Sequence, residues 1–226
     1  MRNLFPGYYQ PTEQEFTTLW EKCIFSFDTN VLLHIYRYIP KTRNIFFDIL
    51  DQLKERIWIP HHVAFEYQKE RFSVISHQLR AYDEIQKTLD KSLQNLKIEL
   101  GAYKRHSLID TNQIIEIYGR AIRKVKRNLS KAKQEYPDFI ISDELRDKIT
   151  EILKGKVGEP YSKDKLKAIY KEAEQRFKES IPPGYKDNKK PEPDKYGDVV
   201  LWFQLIDYAK SEKKPLIFIT DDMKED

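Results

Sequence analysis

Acidic side chains recur in this chain where apolar runs end. Asp28 closes the run Cys23-Ile24-Phe25-Ser26-Phe27, and Asp221 and Asp222 close Leu216-Ile217-Phe218-Ile219-Thr220. Glu66 falls within the first two turns of a helical pattern that starts at His61, and Asp198 precedes the apolar stretch 199–209. Each alone has a plain explanation. Asp28 is equally a turn former or helix N-cap, Glu66 a solvated helical glutamate, and Asp198 a cap. Together they fall at one edge of one sheet, the carboxyl edge where α/β folds collect ligands. Carboxylates so placed raise one another's pKa unless a cation neutralises them. Oxygen-only ligation, with no Cys and no paired His, suits Mg²⁺ or Mn²⁺. Such ions activate water for phosphodiester cleavage.

The elements that must position these acids are legible as patterns. Thr12 and Glu15 have capping-box spacing, which predicts a short helix through Trp20. The run 23–27 reads as a buried strand, followed by Asp28-Thr29-Asn30 and a helix to about Tyr38 that Pro40 ends. A second helix, about 42–55, puts Ile45, Phe46, Ile49, Leu50 and Leu53 on one face. Residues 56–60 read as a second parallel strand with Pro60 at its end. The helix from His61 carries an apolar stripe through Phe65, Phe72 and Ile75 that is expected to face the sheet. A last buried strand, 216–220, ends at the acidic pair. The expected fold is α/β with a Rossmann-like parallel sheet.

Between these core pieces, residues 72 to about 180 show no strand pattern. Breaks near Gly101, 107–110, 136–138 and 154–160 divide the interval into helices, too long for an ordinary connection. The domain reading is a single domain over 1–226, with a core at about 20–71 and 181–226 and a helical insertion at about 72–180. Within that insertion Arg120, Arg123, Lys124, Lys126, Arg127, Lys131 and Lys133 occur without an intervening acid. Such a run is a solvated rod or a phosphate-contact surface. The loop 181–198, rich in Pro and Gly, carries Lys186, Lys189 and Lys190 and leads straight to Asp198. The rod and this loop are expected to flank the acids. Tyr185 and Tyr196 bracket the loop and are candidates for stacking on unpaired bases, or for packing.

Composition narrows the classes. Of 226 residues, 40% are hydrophobic and 34% charged, with a net charge of +4, which is enough apolar content for a core and too mild a charge to name a partner. The one cysteine, Cys23, excludes an intramolecular disulfide framework and a Cys-rich zinc site. There is no signal-peptide pattern and no apolar run near ~20 residues, so a soluble cytoplasmic protein is expected, without membrane association. Asn30 stands where an aspartyl phosphotransferase needs a second Asp. His62 and Glu66 lack the further histidine of a zinc hydrolase helix. No Gly-rich phosphate loop is present.

With the segments FDTNVLL, helical Glu66, GDVVLW and FITDD in order, the chain resembles the PIN-like domain nucleases, in their bacterial branch with a long helical insertion before PPGYKD…KYGD. The resemblance runs from about residue 24 to 222. It implies a PIN-like parallel sheet, Mg²⁺ or Mn²⁺, and hydrolysis of single-stranded RNA ahead of DNA, by a probable endoribonuclease of the toxin or phage-defence kind. On it, Asp28, Glu66, Asp198 and Asp222 match the catalytic acids. Asp221 is an outer metal ligand, and Asn30 and Thr220 support the acids. Nucleic-acid contacts are assigned to Arg120, Arg123, Lys124, Lys126, Arg127, Lys186, Lys189 and Lys190. An inhibitor or effector protein and oligomer formation are further expectations. The family's closing strand and helix have no counterpart before residue 226, so a truncated C-terminal end is expected. The alternative function is a catalytically weak or inactive module that binds nucleic acid or protein.

Overall fold

A capping box opens the first helix, α1 (Glu13–Lys22). Thr12 N–H donates to the Glu15 carboxylate at 2.7 Å, and Glu15 N–H donates to Thr12 Oγ1 at 3.2 Å. Both bonds satisfy donors in the capping region, which is why the Thr12/Glu15 spacing marks a boundary. The structure is a computed structural model and describes residues 1–223. Its chain divides into two units, one formed by Met1–Glu70 and Leu145–Asp226, the other by Arg71–Glu144.

In the first unit β1 (Ile24–Phe27) pairs in parallel with β2 (Leu216–Ile219), in a register that sets Phe27 beside Ile219. All four β1 residues are buried, those of β2 only partly. The α/β expectation thus holds in reduced form: a two-stranded parallel sheet within a mostly helical chain. Residues 56–60, expected as a second strand, form isolated bridges instead. A turn at Lys54–Arg56 and Pro60 leave three residues between them, and these divide their bonds between two neighbours. Trp58 N–H donates to Phe25 O at 3.0 Å, whereas Ile59 N–H donates to Lys156 O at 2.8 Å. Three residues shared this way cannot make a ladder.

Asp28 caps α2 (Thr29–Leu33), which tightens into a single 3-10 turn at His34–Tyr36. Pro40 does not end a helix but begins one, α3 (Pro40–Leu53). At a first helical position its missing N–H costs nothing and its fixed φ is already helical. α3 buries Phe47 and Leu50, while Ile45 and Ile49 of the expected face stay exposed. α4 (His61–Leu100) starts in this unit. Val63 and Tyr67 are its buried residues there, and Phe65, expected to face the sheet, is 55% exposed.

The second unit holds the rest of α4 and α5 (Thr111–Glu135). Asp110 caps α5 by accepting from Asn112 and Gln113 N–H at 2.9 and 3.0 Å. Lys126 pairs with Asp90, and Lys133 with Asp83, each at 2.7 Å. Val74, Ile75, Ile122 and Phe139 are buried, while Phe72 of the expected stripe is 48% exposed. Arg71 and Asp143, both buried, form an ion pair between the first residue of the unit and its last stretch.

α6 (Glu144–Ile152) and α7 (Lys163–Lys178) lie in the interval expected as insertion, yet 145–178 group with the first unit. There Ile169, Ala173 and Phe177 pack on Tyr196, Val199 and Val200, at the start of α8 (Gly197–Glu212). A buried side chain of this size contributes ~2 kcal/mol. α7 therefore sets where α8 begins, and with it where Asp198 lies.

Candidate acidic site

The sheet register brings the two strand ends together. Asp28 N–H donates to Ile219 O at 2.8 Å, so Asp28 and Thr220 leave the sheet side by side. The Asp28 carboxylate then accepts three hydrogen bonds: from Thr29 N–H at 2.7 Å, Asn30 Nδ2 at 3.0 Å and Thr220 Oγ1 at 2.7 Å. Thr220 Oγ1 also accepts from Asp222 N–H at 3.0 Å, and Asn30 Oδ1 accepts from Asp221 N–H at 3.2 Å. Asn30 and Thr220 thereby tie the acidic corner after β2 to the end of β1. Asp28 is cap and cleft residue at once. Asp221 turns elsewhere: its Oδ2 lies 2.7 Å from His34 Nε2.

Glu66, one turn into α4, accepts from Thr29 Oγ1 at 3.1 Å and lies 3.4 Å from His62 Nε2. That nitrogen is buried, and its contact is the largest influence holding the Glu66 carboxyl down. Gly197 makes this closeness feasible, because a Cβ there would stand 2.7 Å from His62 Nε2. Asp198 follows in the first turn of α8. The N-cap is Tyr196, so Asp198 is not the cap that its position suggested. Gly184, at φ +82°, lies against it, where a Cβ would come within 2.9 Å of Asp198 Cβ. Asp28, Asp198, Thr220 and Asp222 share a cleft of about 220 Å³ whose other wall includes Pro183, Trp202 and Phe218.

The charges are coupled. Burial lifts the Asp28 carboxyl above its ordinary pKa; hydrogen bonds from Thr220 and Thr29 oppose this, and the charges of Glu66 and Asp222 add to it. Asp198 is pushed up to about 6, first by burial and then by the charge of Asp187, with Glu66 and Asp28 adding and Lys190 opposing. The residue as a whole is exposed, so its desolvation comes from the protein atoms crowding the carboxylate. For Glu66 burial also opposes ionisation, but His62, the Thr29 hydroxyl and Lys190 outweigh it and hold the pKa below the ordinary value. The acids are neighbours that feel one another. Among the described residues, however, no three His, Cys, Asp or Glu side chains form a group that could hold a metal ion.

The basic candidates separate into paired and unpaired. Lys126 and Lys133 are held by aspartates, and Arg120 and Lys131 lie 3.8 Å from Glu116 and Glu135. Arg123, Lys124 and Arg127 have no ion pair among the described residues. In the 3-10 turn Tyr185–Lys189 and its flank, Lys190 pairs with Asp187, and Lys186 stands 5.9 Å from the Tyr185 ring. Lys189 is exposed. Tyr196 is 2% exposed and stacked on Tyr170 at 4.7 Å, which makes it a packing residue and not a base platform.

Sequence reasoning passed over Thr29, His34 and Asp187. The i,i+3 spacing of Asp187 and Lys190 was the available signal for the last. The other two had none, since their partners are 37 and 187 residues away. No helix among the described residues is long and apolar enough to cross a membrane. No curated protein and no solved structure matches this chain. A family model described as a PIN like domain matches residues 24–226.

Proposed function

The chain belongs to the PIN-like domain family, whose members are generally nucleases, and from that membership we propose a metal-dependent endonuclease acting on single-stranded nucleic acid, RNA ahead of DNA. The observation that carries the reading is the shared cleft. Asp28, Asp198 and Asp222, remote in sequence, line it together, with Glu66 acting electrostatically on Asp28 and Asp198.

The donors fit a hard divalent cation in type, since all are carboxylates, and burial, with neighbouring acids adding, holds two of them above their ordinary pKa. Asp28, Glu66, Asp198 and Asp222 would hold Mg²⁺ or Mn²⁺. When bound, the ion supplies an activated water and charge stabilisation for phosphodiester hydrolysis. The chain's own residues do the rest. Asn30 and Thr220 fix the plane of Asp28. His34 draws Asp221 aside, leaving Asp222 as the acid of that corner facing the cleft. Lys186, Lys189 and Lys190 offer phosphate contacts beside Asp198. The opposite wall, with Pro183, Trp202 and Phe218, suits the base of an unpaired nucleotide, which supports a single-stranded substrate.

The test is cleavage of single-stranded RNA and DNA oligonucleotides with Mn²⁺, Mg²⁺ or EDTA. Metal-dependent cutting that falls about a hundredfold or more in Asp28→Asn supports the enzyme. A second reading, a nucleic-acid-binding module without hydrolysis, is favoured by the absence among the described residues of a closed three-ligand group. Metal-independent binding with no cutting would establish it.

A further inference from the structure

A second hollow, of about 200 Å³, opens where α4 and α8 begin. It meets the acidic cleft at one step of the chain, since Gly197 lines the hollow and Asp198 lines the cleft. Much of its wall is flat and apolar: the Phe65 and Tyr170 rings, Pro160 and Pro193. Phe65 is 55% exposed, whereas Tyr170 is fixed in plane by Tyr196, stacked on it at a centroid distance of 4.7 Å. Among the polar residues that line the hollow, Gln204 is only 5% exposed, and its Oε1 accepts from His62 N–H at 3.0 Å. An N–H at that point demands the oxygen, so the other end of the amide is the NH2. That nitrogen has no hydrogen-bond partner among the described residues. A buried amide with one end fixed and the other unspent is suited to donate to a ligand.

We propose that this hollow takes one unpaired nucleobase, stacked on Phe65 and hydrogen-bonded by the Gln204 amide nitrogen, while a neighbouring phosphate of the same strand lies at the acids. This rests on the nucleic-acid reading above and adds a subsite to it, distinct from the cleft wall of Pro183, Trp202 and Phe218. A planar ring fits flat apolar walls, and one strand can carry successive bases into two adjoining hollows. A paired base has both faces stacked and its edge occupied, so only a single strand can use such a place. The Gln204 amide offers a donor, so it reads an acceptor on the base edge and gives the protein a base preference at one position. The exposure of Phe65 then has a reason, since its ring is left open for a ligand.

The experiment is fluorescence anisotropy with labelled single-stranded oligo-A, oligo-C and oligo-U RNA of about eight nucleotides, in EDTA and again with Mn²⁺. The proteins are the unaltered full chain, Phe65→Ala, Gln204→Glu and, as a control, Phe16→Ala, which removes an equally exposed ring from α1. Circular dichroism checks that each variant is folded. Phe65→Ala is expected to weaken binding about tenfold, with its salt dependence unchanged because stacking and not phosphate contact is lost. Gln204→Glu keeps an oxygen for His62 N–H but has no N–H to donate. It is expected to weaken binding of the preferred homopolymer about tenfold and so to flatten the ranking of the three. Phe16→Ala should leave affinity unchanged. If Phe65→Ala or folded Gln204→Glu binds all three as the unaltered protein does, the base subsite is overturned and nucleic-acid binding stands. Should Gln204→Glu not fold, Phe65→Ala decides alone. If the unaltered protein neither binds nor cuts any of the three, the nucleic-acid reading itself is overturned, and this inference with it.

Discussion

At the scale of single residues, Asp198 has the most to say in solution. A carboxyl whose folded pKa lies near 6 against an ordinary 3.8 keeps its proton longer in the folded chain than in the unfolded one. The metal-free fold therefore loses stability as pH rises from 3.8 to about 6, and recovers it as pH falls back through that window. Metal binding must displace the same proton. Mn²⁺ affinity is expected to fall about tenfold per pH unit below about 6, where Asp198 takes up its proton. Calorimetry between pH 5 and 7.5, in steps of about half a unit, measures that slope; a flat profile removes Asp198 from the ligand set. Thr220 gives a second residue-scale expectation. Thr220→Val deletes the hydroxyl that donates to Asp28 and accepts from Asp222 N–H. Metal affinity should drop about tenfold with the fold intact. Retained affinity would mean that the corner is held by Asn30 alone.

At the scale of elements, two glycines set how closely the segments around the site can approach. Gly184→Ala places a side chain in the left-handed region and against Asp198, and Gly197→Ala drives a methyl into His62. Each should cost about 1–3 kcal/mol in chemical denaturation, and Gly197→Ala should weaken metal binding as well by displacing His62 from Glu66. A Gly197→Ala variant as stable as the parent would show that α8 can retreat at no cost. Elements were legible where a local signal decided them. Thr12 and Glu15 announced α1, Gly101 and Asp110 bounded the helices around them, and the runs before Asp28 and Asp221 gave both strands. Residues 56–60 failed for the opposite reason. Their apolar, β-branched pattern was real, but pairing depended on Phe25 and Lys156, which no window of that segment contains. Asp198 likewise looked like a cap, because whether a residue is cap or first turn depends on the backbone of Tyr196.

At the scale of the whole molecule, the basic run of α5 and the acids of the cleft fall on different stretches of chain. Arg123, Lys124 and Arg127, the members of the basic run with no ion pair among the described residues, are the ones expected to meet phosphates. Replacing all three by Ala should reduce the salt dependence of single-strand binding by about 2 in the log–log slope. Fluorescence anisotropy over a salt series measures this. An unchanged slope means that the run is only a solvated face. Lys126→Ala should instead cost little beyond the pair with Asp90. The positions of these cations were legible in sequence; their partners were not, since Asp83 and Asp90 lie on α4, well before α5.

Arg71 and Asp143 close the second unit with a buried ion pair between its two ends. Removing one partner, as in Asp143→Ala, takes the carboxylate away from a buried guanidinium and should cost about 3–5 kcal/mol, read as a separate early transition on heating. The chain thus leaves and rejoins at nearly one point, which is the geometry of an exchangeable cassette. Residues 71–144 can then be lengthened, shortened or replaced while the ends still meet.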